Sequence, residues 1–271
     1  MSMTIATWNI NSVRLRIGLV GAFLDRHRPD ILCLQEIKCR TDQFPLKPFR
    51  DRGYEHVFVN GQKGYHGVAI VSRRPFAETS IRGFCGMNDA RHAAVTIRDR
   101  DGDILLHNFY VPAGGDEPDP GINEKFAHKL AFLAEMESWL TRVETDRKAI
   151  LVGDLNIAPH ENDVWSHKQL LKVVSHTPVE TEGLERLRNT GGWIDAVRHF
   201  VPTDRKLYTW WSYRAHDWLV SDRGRRLDHI WVTPHLAPQL RGVDVIRDTR
   251  GWQRPSDHVP VIARIATAEF V

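Results

Sequence analysis

Short apolar or alternating runs recur along the whole chain, and many are bounded by Gly, Pro, Asn or Asp. Runs of this kind are typical of β-strands, because Val and Ile favour extended backbone and turn residues end it. We therefore predict strands at 4–10, 30–34, 54–59, 67–72, 93–97, 104–111, 149–152, 207–211, 227–232, 243–246 and 259–265.

Two longer segments instead show helical spacing. Ser12 is placed to cap a helix that carries Val13, Ile17, Val20 and Leu24 on one stripe. Asn123 is placed to cap a second helix, which follows two prolines. The apolar stripe of this second helix comprises Phe126, Leu130, Leu133 and Trp139.

This balance of elements predicts an α/β fold. About ten strands with three or four helices are too many strands for a single packed sheet. We therefore expect a four-layered α/β sandwich, in which two mostly antiparallel sheets pack face to face with helices outside. No Ser/Gly-rich linker or charge block divides the chain, which predicts one domain over residues 1–271.

Composition narrows the class of protein. Lys and Arg number 37 against 34 Asp and Glu, so the net charge of +3 permits a polyanionic partner without requiring one. Three irregularly spaced cysteines are too few for a disulfide framework or a zinc cluster. No apolar run approaches the ~20 residues of a membrane span, and no signal peptide is evident. We expect a cytoplasmic protein that does not bind membranes and, without a coiled-coil pattern, is a monomer.

Polar motifs stand at the ends of six apolar runs. They are WNIN at 8–11, LQE at 34–36, NFY at 108–110, GDLN at 153–156, LDH at 227–229 and SDH at 256–258. A sheet brings such residues together, because the ends of neighbouring strands point at one spot. Converging carboxylates, carboxamides, a phenol and an imidazole suit a hard cation and a phosphate ester. The pattern predicts a metal-dependent phosphodiesterase.

Each residue type fits a step of phosphodiester hydrolysis. Mg²⁺ prefers one or two carboxylates and keeps other positions for water and phosphate, which suits Glu36 and Asp257, with Asn9 orienting or ligating. Asp154 could take the proton from an attacking water that Asn156 holds by a hydrogen bond.

Two further groups would act on the phosphate. Asp228 is a plausible partner for the second ring nitrogen of His258, which would favour an imidazolium facing the phosphate. Tyr110 could donate a hydrogen bond to the phosphate or to the leaving group. Taken singly, each of these residues is also explained by a turn, a helix cap or a core position, so the joint pattern carries the prediction.

In this order the motifs resemble the exonuclease III family of AP endonucleases, within the endonuclease/exonuclease/phosphatase superfamily. The matching stretches cover nearly the whole chain. They are WNINSVR at 8–14, PDILCLQEIK at 29–38, KGYHGVAIVSR at 63–73, HNFYVP at 107–112, ILVGDLNIAP at 150–159, YTWWSYR at 208–214, RRLDHIWV at 225–232 and PSDHVPV at 255–261.

The resemblance implies Mg²⁺-dependent cleavage 5′ to abasic sites in double-stranded DNA, with Mn²⁺ as a substitute. It also implies 3′→5′ exonuclease and 3′-phosphatase action on blocked ends, in base excision repair. Glu36 would be the main metal ligand, with Asn9 and Asp257 nearby. Because one-metal and two-metal schemes both exist, three residues stay possible second-site ligands. These are Asp154, Asn156 and His258.

Recognition of DNA would use a separate set of residues. The implied DNA contacts are Arg91, Trp210, Trp211, Arg214 and Leu227. Tryptophan and arginine can line a pocket for an extrahelical sugar or wedge against a base stack. Alternation along a strand also predicts that one of the two tryptophans lies in the core.

Two positions depart from the pattern of the family. Ala113 stands where many relatives have an amide that reaches the phosphate, and Arg225 stands where an apolar residue often lines the pocket for the abasic sugar. Two alternatives therefore stay open. One is a superfamily phosphoesterase acting on RNA, inositol phosphates or lipid head groups, and the other is a DNA-binding protein that has lost catalysis.

Overall fold

Strands close to the predicted positions assemble into two six-stranded sheets. The computed structural model describes residues 2–143 and 147–267. The strands in these residues are β1 Ser2–Asn9, β2 Ile31–Gln35, β3 His56–Asn60, β4 Val68–Ser72, β5 Glu78–Ser80, β6 His92–Ile97, β7 Ile104–Tyr110, β8 Ala149–Asp154, β9 Ile194–Asp195, β10 Trp210–Trp211, β11 Gly224–Arg225, β12 Asp228–Val232, β13 Leu240–Val245 and β14 Val261–Ala266. The helices are α1 Ile17–His27, α2 Leu46–Arg50, α3 Glu124–Val143, α4 His167–Leu170, α5 Pro178–Thr190, α6 Ala196–Phe200 and α7 Trp218–Ser221.

Both large sheets have the same plan. The first has the strand order β13-β14-β1-β2-β4-β3, and the second has the order β5-β6-β7-β8-β12-β9. Each contains one parallel pair near its centre, β1 with β2 and β7 with β8, and its other pairings are antiparallel. The strands β10 and β11 form a separate antiparallel ribbon.

Alternation along each strand divides the core into layers. Ile5 packs in the cluster between the sheets, whereas Trp8, on the other face of β1, packs with Phe23 of α1. On the far side, Phe109 of β7 packs with Phe132 of α3. The predicted α/β sandwich of two mostly antiparallel sheets with helices outside is confirmed.

The predicted cap of the first helix was wrong. This helix begins at Ile17. Asn11 and Ser12 both have positive φ, which is incompatible with a helix start at Ser12. The backbone there instead pairs with the loop after β2, where the Ser12 amide donates to the carbonyl of Glu36. Asn123 does cap α3, since its Oδ1 accepts from the amide of Lys125 at 3.1 Å. None of the helices in the described residues is long and apolar enough to cross a membrane.

Candidate active site

Six chain segments meet at one edge of the two sheets. In the parallel pairs, Asn9 lies beside Gln35 and Tyr110 lies beside Asp154. The antiparallel strand β12 begins at Asp228, directly opposite Asp154. The carboxyl ends of both central strand pairs therefore point into the same place, as the motif positions predicted.

Asn9 joins the two sheets at this edge. Its Nδ2 donates to Glu36 Oε1 at 2.9 Å and to Asp154 Oδ2 at 2.8 Å. Its Oδ1 accepts from the amide of Asn11 at 3.0 Å, and the residue is fully buried. Of the two roles predicted for Asn9, orienting other groups is the one that these contacts favour.

Asp154 is buried and held in one orientation by the residue two positions later. The amide of Asn156 donates to its Oδ1 at 2.9 Å, and Asn156 Nδ2 lies 3.2 Å from Oδ2. Asn156 reaches both oxygens because its φ of +54° folds the backbone back towards Asp154. Burial raises the pKa of Asp154, although the nearby charge of His258 acts against this.

His258 stands between two carboxylates. Its Nδ1 donates to Asp228 Oδ2 at 2.8 Å, and its Nε2 lies 3.6 Å from Asp154 Oδ2. Burial alone would lower the pKa of His258, but the charges of Asp228 and Asp154 outweigh it and raise that pKa. The ring is therefore an imidazolium at neutral pH, with Asp228 fixing its orientation.

Glu36 and Asp257 carry the other two carboxylates. Glu36 Oε2 lies 2.8 Å from Lys38 Nζ, and this ammonium also donates to Asn11 Oδ1 at 2.5 Å. Asn11 Nδ2 in turn donates to Asp257 Oδ1 at 3.1 Å. Burial opposes the charge on Glu36, yet the Lys38 ammonium and the Asn9 amide hold its pKa below the usual value.

These groups fit a divalent cation. Four carboxylates converge here, and the cations in direct contact with them among the described residues are Lys38, beside Glu36, and protonated His258, beside Asp228 and Asp154. Asp228 Oδ1 is buried without a hydrogen bond to the described residues. In the described part of the chain, ligand atoms of Asp154, Asp228 and His258 also lie within 4.8 Å of one another, although His258 would have to lose a proton to bind an ion there. Hard oxygen ligands of this kind suit Mg²⁺ or a similar ion.

Arg91, a predicted DNA contact, is mostly buried. It is 6% exposed, forms an ion pair with Asp89, and its Nη1 donates to the carbonyl of Tyr110 at 3.2 Å. The guanidinium also lies 5.0 Å from the centroid of the Tyr110 ring. Arg91 therefore supports Tyr110 from inside the protein, and its contact with DNA stays a prediction.

The two tryptophans of the YTWWSYR motif face opposite ways, as the alternation predicted. Trp211 is 1% exposed and donates its Nε1 to Asp222 at 2.9 Å, so its ring is not available to DNA. Trp210 lines an open cleft at this edge of the sheets and donates its Nε1–H to Asp257 Oδ2 at 2.9 Å. The exposed Arg214 and the mostly buried Leu227 line the same cleft.

This cleft, of about 540 Å³, opens onto the candidate catalytic residues. The predicted residues that line it are Glu36, Tyr110, Asn156, Trp210, Arg214, Leu227, Asp257 and His258. Both departures from the family pattern, Ala113 and Arg225, line it as well.

Sequence reasoning missed a buried ion pair behind the cleft. Lys129 of α3 is fully buried and lies 2.5 Å from Glu180. Its Nζ also donates to the carbonyls of Asn156 at 2.8 Å and Ala113 at 3.3 Å. Lys129 thus holds together the two loops that contain Ala113 and Asn156. One sign in the sequence indicates that Lys129 is buried: it lies three residues after Phe126, at the spacing of the apolar stripe.

Comparisons with known proteins agree with this geometry. The sequence pattern of the Endonuclease/Exonuclease/phosphatase family matches residues 6–258. Exodeoxyribonuclease III of Haemophilus influenzae is 31% identical over 96% of this chain and 99% of its own length. The structure of an AP endonuclease from Archaeoglobus fulgidus superposes with a TM-score of 0.88 at 32% identity, covering 96% of this chain and 98% of that one.

A second structural relative is a 3′ phosphatase from Neisseria, solved with a product DNA hairpin. It has a TM-score of 0.87 and 33% identity, and 99% of each chain is covered. The family match spans most of the chain and includes every strand end described above. The chain therefore belongs to the Endonuclease/Exonuclease/phosphatase family.

Proposed function

We propose that this protein is a DNA repair nuclease of the exodeoxyribonuclease III type. It hydrolyses phosphodiesters in double-stranded DNA 5′ to abasic sites and removes nucleotides or phosphates from 3′ ends. Its similarity to an exodeoxyribonuclease III, an AP endonuclease and a 3′ phosphatase, each along nearly the full chain, supports this substrate class. We further propose that it acts in the cytoplasm as a monomer.

The observation that carries the chemistry is the position of Asp154. Its carboxylate is held by Asn9 and Asn156 and lies 3.6 Å from His258, and both Asn156 and His258 line the open cleft. A carboxylate in that position accepts the proton of an attacking water, and Asn156 orients that water. Because burial raises the pKa of Asp154, it is a stronger base than an exposed Asp.

His258 and Tyr110 act on the phosphate. The imidazolium is fixed by Asp228 and lines the cleft, where its charge stabilises the negative charge that develops on the phosphoryl oxygens. Tyr110 is 7% exposed on the cleft wall, with Arg91 stacked behind it, and its hydroxyl would hydrogen-bond the phosphate.

We propose Mg²⁺ as the cofactor, with Mn²⁺ able to replace it. Glu36 and Asp257 would hold it, with Asn9 orienting Glu36. Both carboxylates remain ionised, since burial is outweighed by neighbouring charges and hydrogen bonds that lower the pKa of each. When bound, the ion would neutralise charge on the phosphate and assist the departing oxygen.

The proposed function predicts a metal-dependent cut at a defined position. A duplex with one abasic-site analogue, labelled at its 5′ end, should give a first product cut 5′ to the lesion with Mg²⁺, which the 3′→5′ activity then shortens, and no product with EDTA. The product is resolved on a denaturing gel. A ladder of products shortened from the 3′ end, without preference for the lesion, would contradict the abasic preference but still support nuclease activity. No cleavage of any DNA would contradict the proposal and direct the assay to RNA and inositol phosphates.

A further inference from the structure

Arg225 brings a positive charge into the cleft. Among the described residues, no carboxylate forms an ion pair with it. Its Nη1 donates to the carbonyl of Val174 at 3.0 Å and to Ser175 Oγ at 2.8 Å. Glu180, the acidic group with the largest electrostatic effect on it, is already paired with Lys129. The Nε–H of Arg225 is buried and makes no hydrogen bond to the described residues. A half-buried cation without a carboxylate partner is costly unless an anion binds there.

The position of Arg225 relates it to the reacting groups. Arg225 lies opposite Trp210 in the β10–β11 ribbon, and its guanidinium carbon is 5.3 Å from the centroid of the Trp210 ring. The Nε1 of this indole donates to Asp257, one of the proposed cation ligands, at 2.9 Å. Trp210 thus contacts both Arg225 and Asp257, and all three residues line the same cleft.

We propose that Arg225 is a specificity-determining residue that binds an oxygen of a terminal phosphate. It would make DNA ends that carry a 3′-phosphomonoester better substrates than ends or lesions that place a neutral sugar there. A terminal phosphate carries about −1.5 to −2 charges at pH 7, whereas each backbone phosphate carries about one. A guanidinium matches phosphate oxygens in geometry and charge. This inference rests on the proposed nuclease function and names its preferred substrate.

Binding without catalysis tests Arg225 directly. A fluorescent DNA hairpin ending in a 3′-phosphate and the same hairpin ending in a 3′-hydroxyl are titrated in EDTA, and affinity is measured by anisotropy. The unaltered protein should bind the phosphate end more tightly. Arg225→Leu should reduce this preference about tenfold to a hundredfold, as expected for one hydrogen bond to a charged group. Arg225→Lys, which keeps the charge, should retain part of it.

Arg247→Leu is a matched control. Arg247 is also an arginine stacked on a tryptophan of β10, but it lies 5.1 Å from the centroid of Trp211, which faces away from the cleft. This variant loses the same charge and should keep the preference for the phosphate end. Thermal unfolding of each variant shows whether it folds.

A second measurement compares rates with Mg²⁺. Arg225→Leu should lower the ratio of phosphate release from 3′-phosphate ends to incision at abasic sites. Equal weakening of both hairpins and both reactions would overturn the assignment, since Arg225 would then be a general contact. An unaltered preference in the folded variant would overturn it too. Absence of all cleavage by the unaltered protein would instead refute the nuclease function, while the EDTA titrations would still decide the role of Arg225.

Discussion

Replacing Asp154 with Asn is expected to lower turnover about 10²- to 10⁴-fold, the range for loss of a general base. Asparagine has nearly the same shape and keeps one of the two oxygens that accept from Asn9 and Asn156, but its amide cannot take a proton from water. Asp154 is 1% exposed and does not itself contact the surface, so duplex affinity should change little. Single-turnover rates and equilibrium binding to an abasic duplex measure the two quantities separately.

Glu36→Gln provides the contrast for this variant. Glu36 belongs to the proposed cation site rather than to the water-activating group, so its loss should raise the Mg²⁺ concentration needed for half-maximal activity. Activity of Glu36→Gln should therefore recover in part as Mg²⁺ is increased, whereas that of Asp154→Asn should not. Substantial turnover by Asp154→Asn at saturating Mg²⁺ would remove Asp154 from the role of general base.

Much of the site was predictable because strand ends carry chemical information. The end of a strand is visible as the last residue of an apolar run, and the sheet determines which strand ends become neighbours. Glu36, Asp154 and Asp228 were predictable in this way, and the family resemblance narrowed their roles. The roles themselves, including the proposed metal ligands, stay predictions.

The supporting residues were hidden for a different reason. A lysine on a helix, such as Lys129, normally points to solvent, and only the packing of α3 against α5 shows that it meets Glu180. Arg91 was assigned to DNA because its loop flanks a motif, but Asp89 and Tyr110 bury it. Long-range partners of this kind are set by tertiary packing, which local sequence patterns do not encode.

Short elements were also missed. Strand β5 is fully exposed, so it has no apolar alternation to reveal it. Strands β9 and β11 have two residues each, too few for any period to be recognised. The consequence for the site is specific, because β11 is the strand that turns Arg225 towards Trp210.

The residue after Arg225 is expected to dominate stability rather than function. Arg226 is fully buried and binds Asp163 through Nε and Nη2 at 2.8 and 2.9 Å, and Asp195 through Nη1 at 2.6 Å. Arg226→Met leaves these carboxylates buried without their main partner, so the free energy of unfolding in urea should fall by about 3–5 kcal/mol. Arg225→Met, a matched control whose guanidinium has no carboxylate partner, should cost about 1 kcal/mol or less. Equal losses in the two variants would contradict this assignment.

The same cluster should set the response of the fold to acid. Burial alone would raise the pKa of Asp163 and of Asp195, but the charge of Arg226 outweighs it and lowers both. A carboxylate whose pKa is lower in the folded state stabilises the fold above its unfolded pKa of about 4, and this stabilisation is lost as the pH falls through the folded value. Without Arg226 both carboxylates take up protons at higher pH, because burial is then less opposed. The midpoint of acid unfolding, followed by circular dichroism, should therefore move to higher pH in Arg226→Met, and an unchanged midpoint would show that other groups control acid stability.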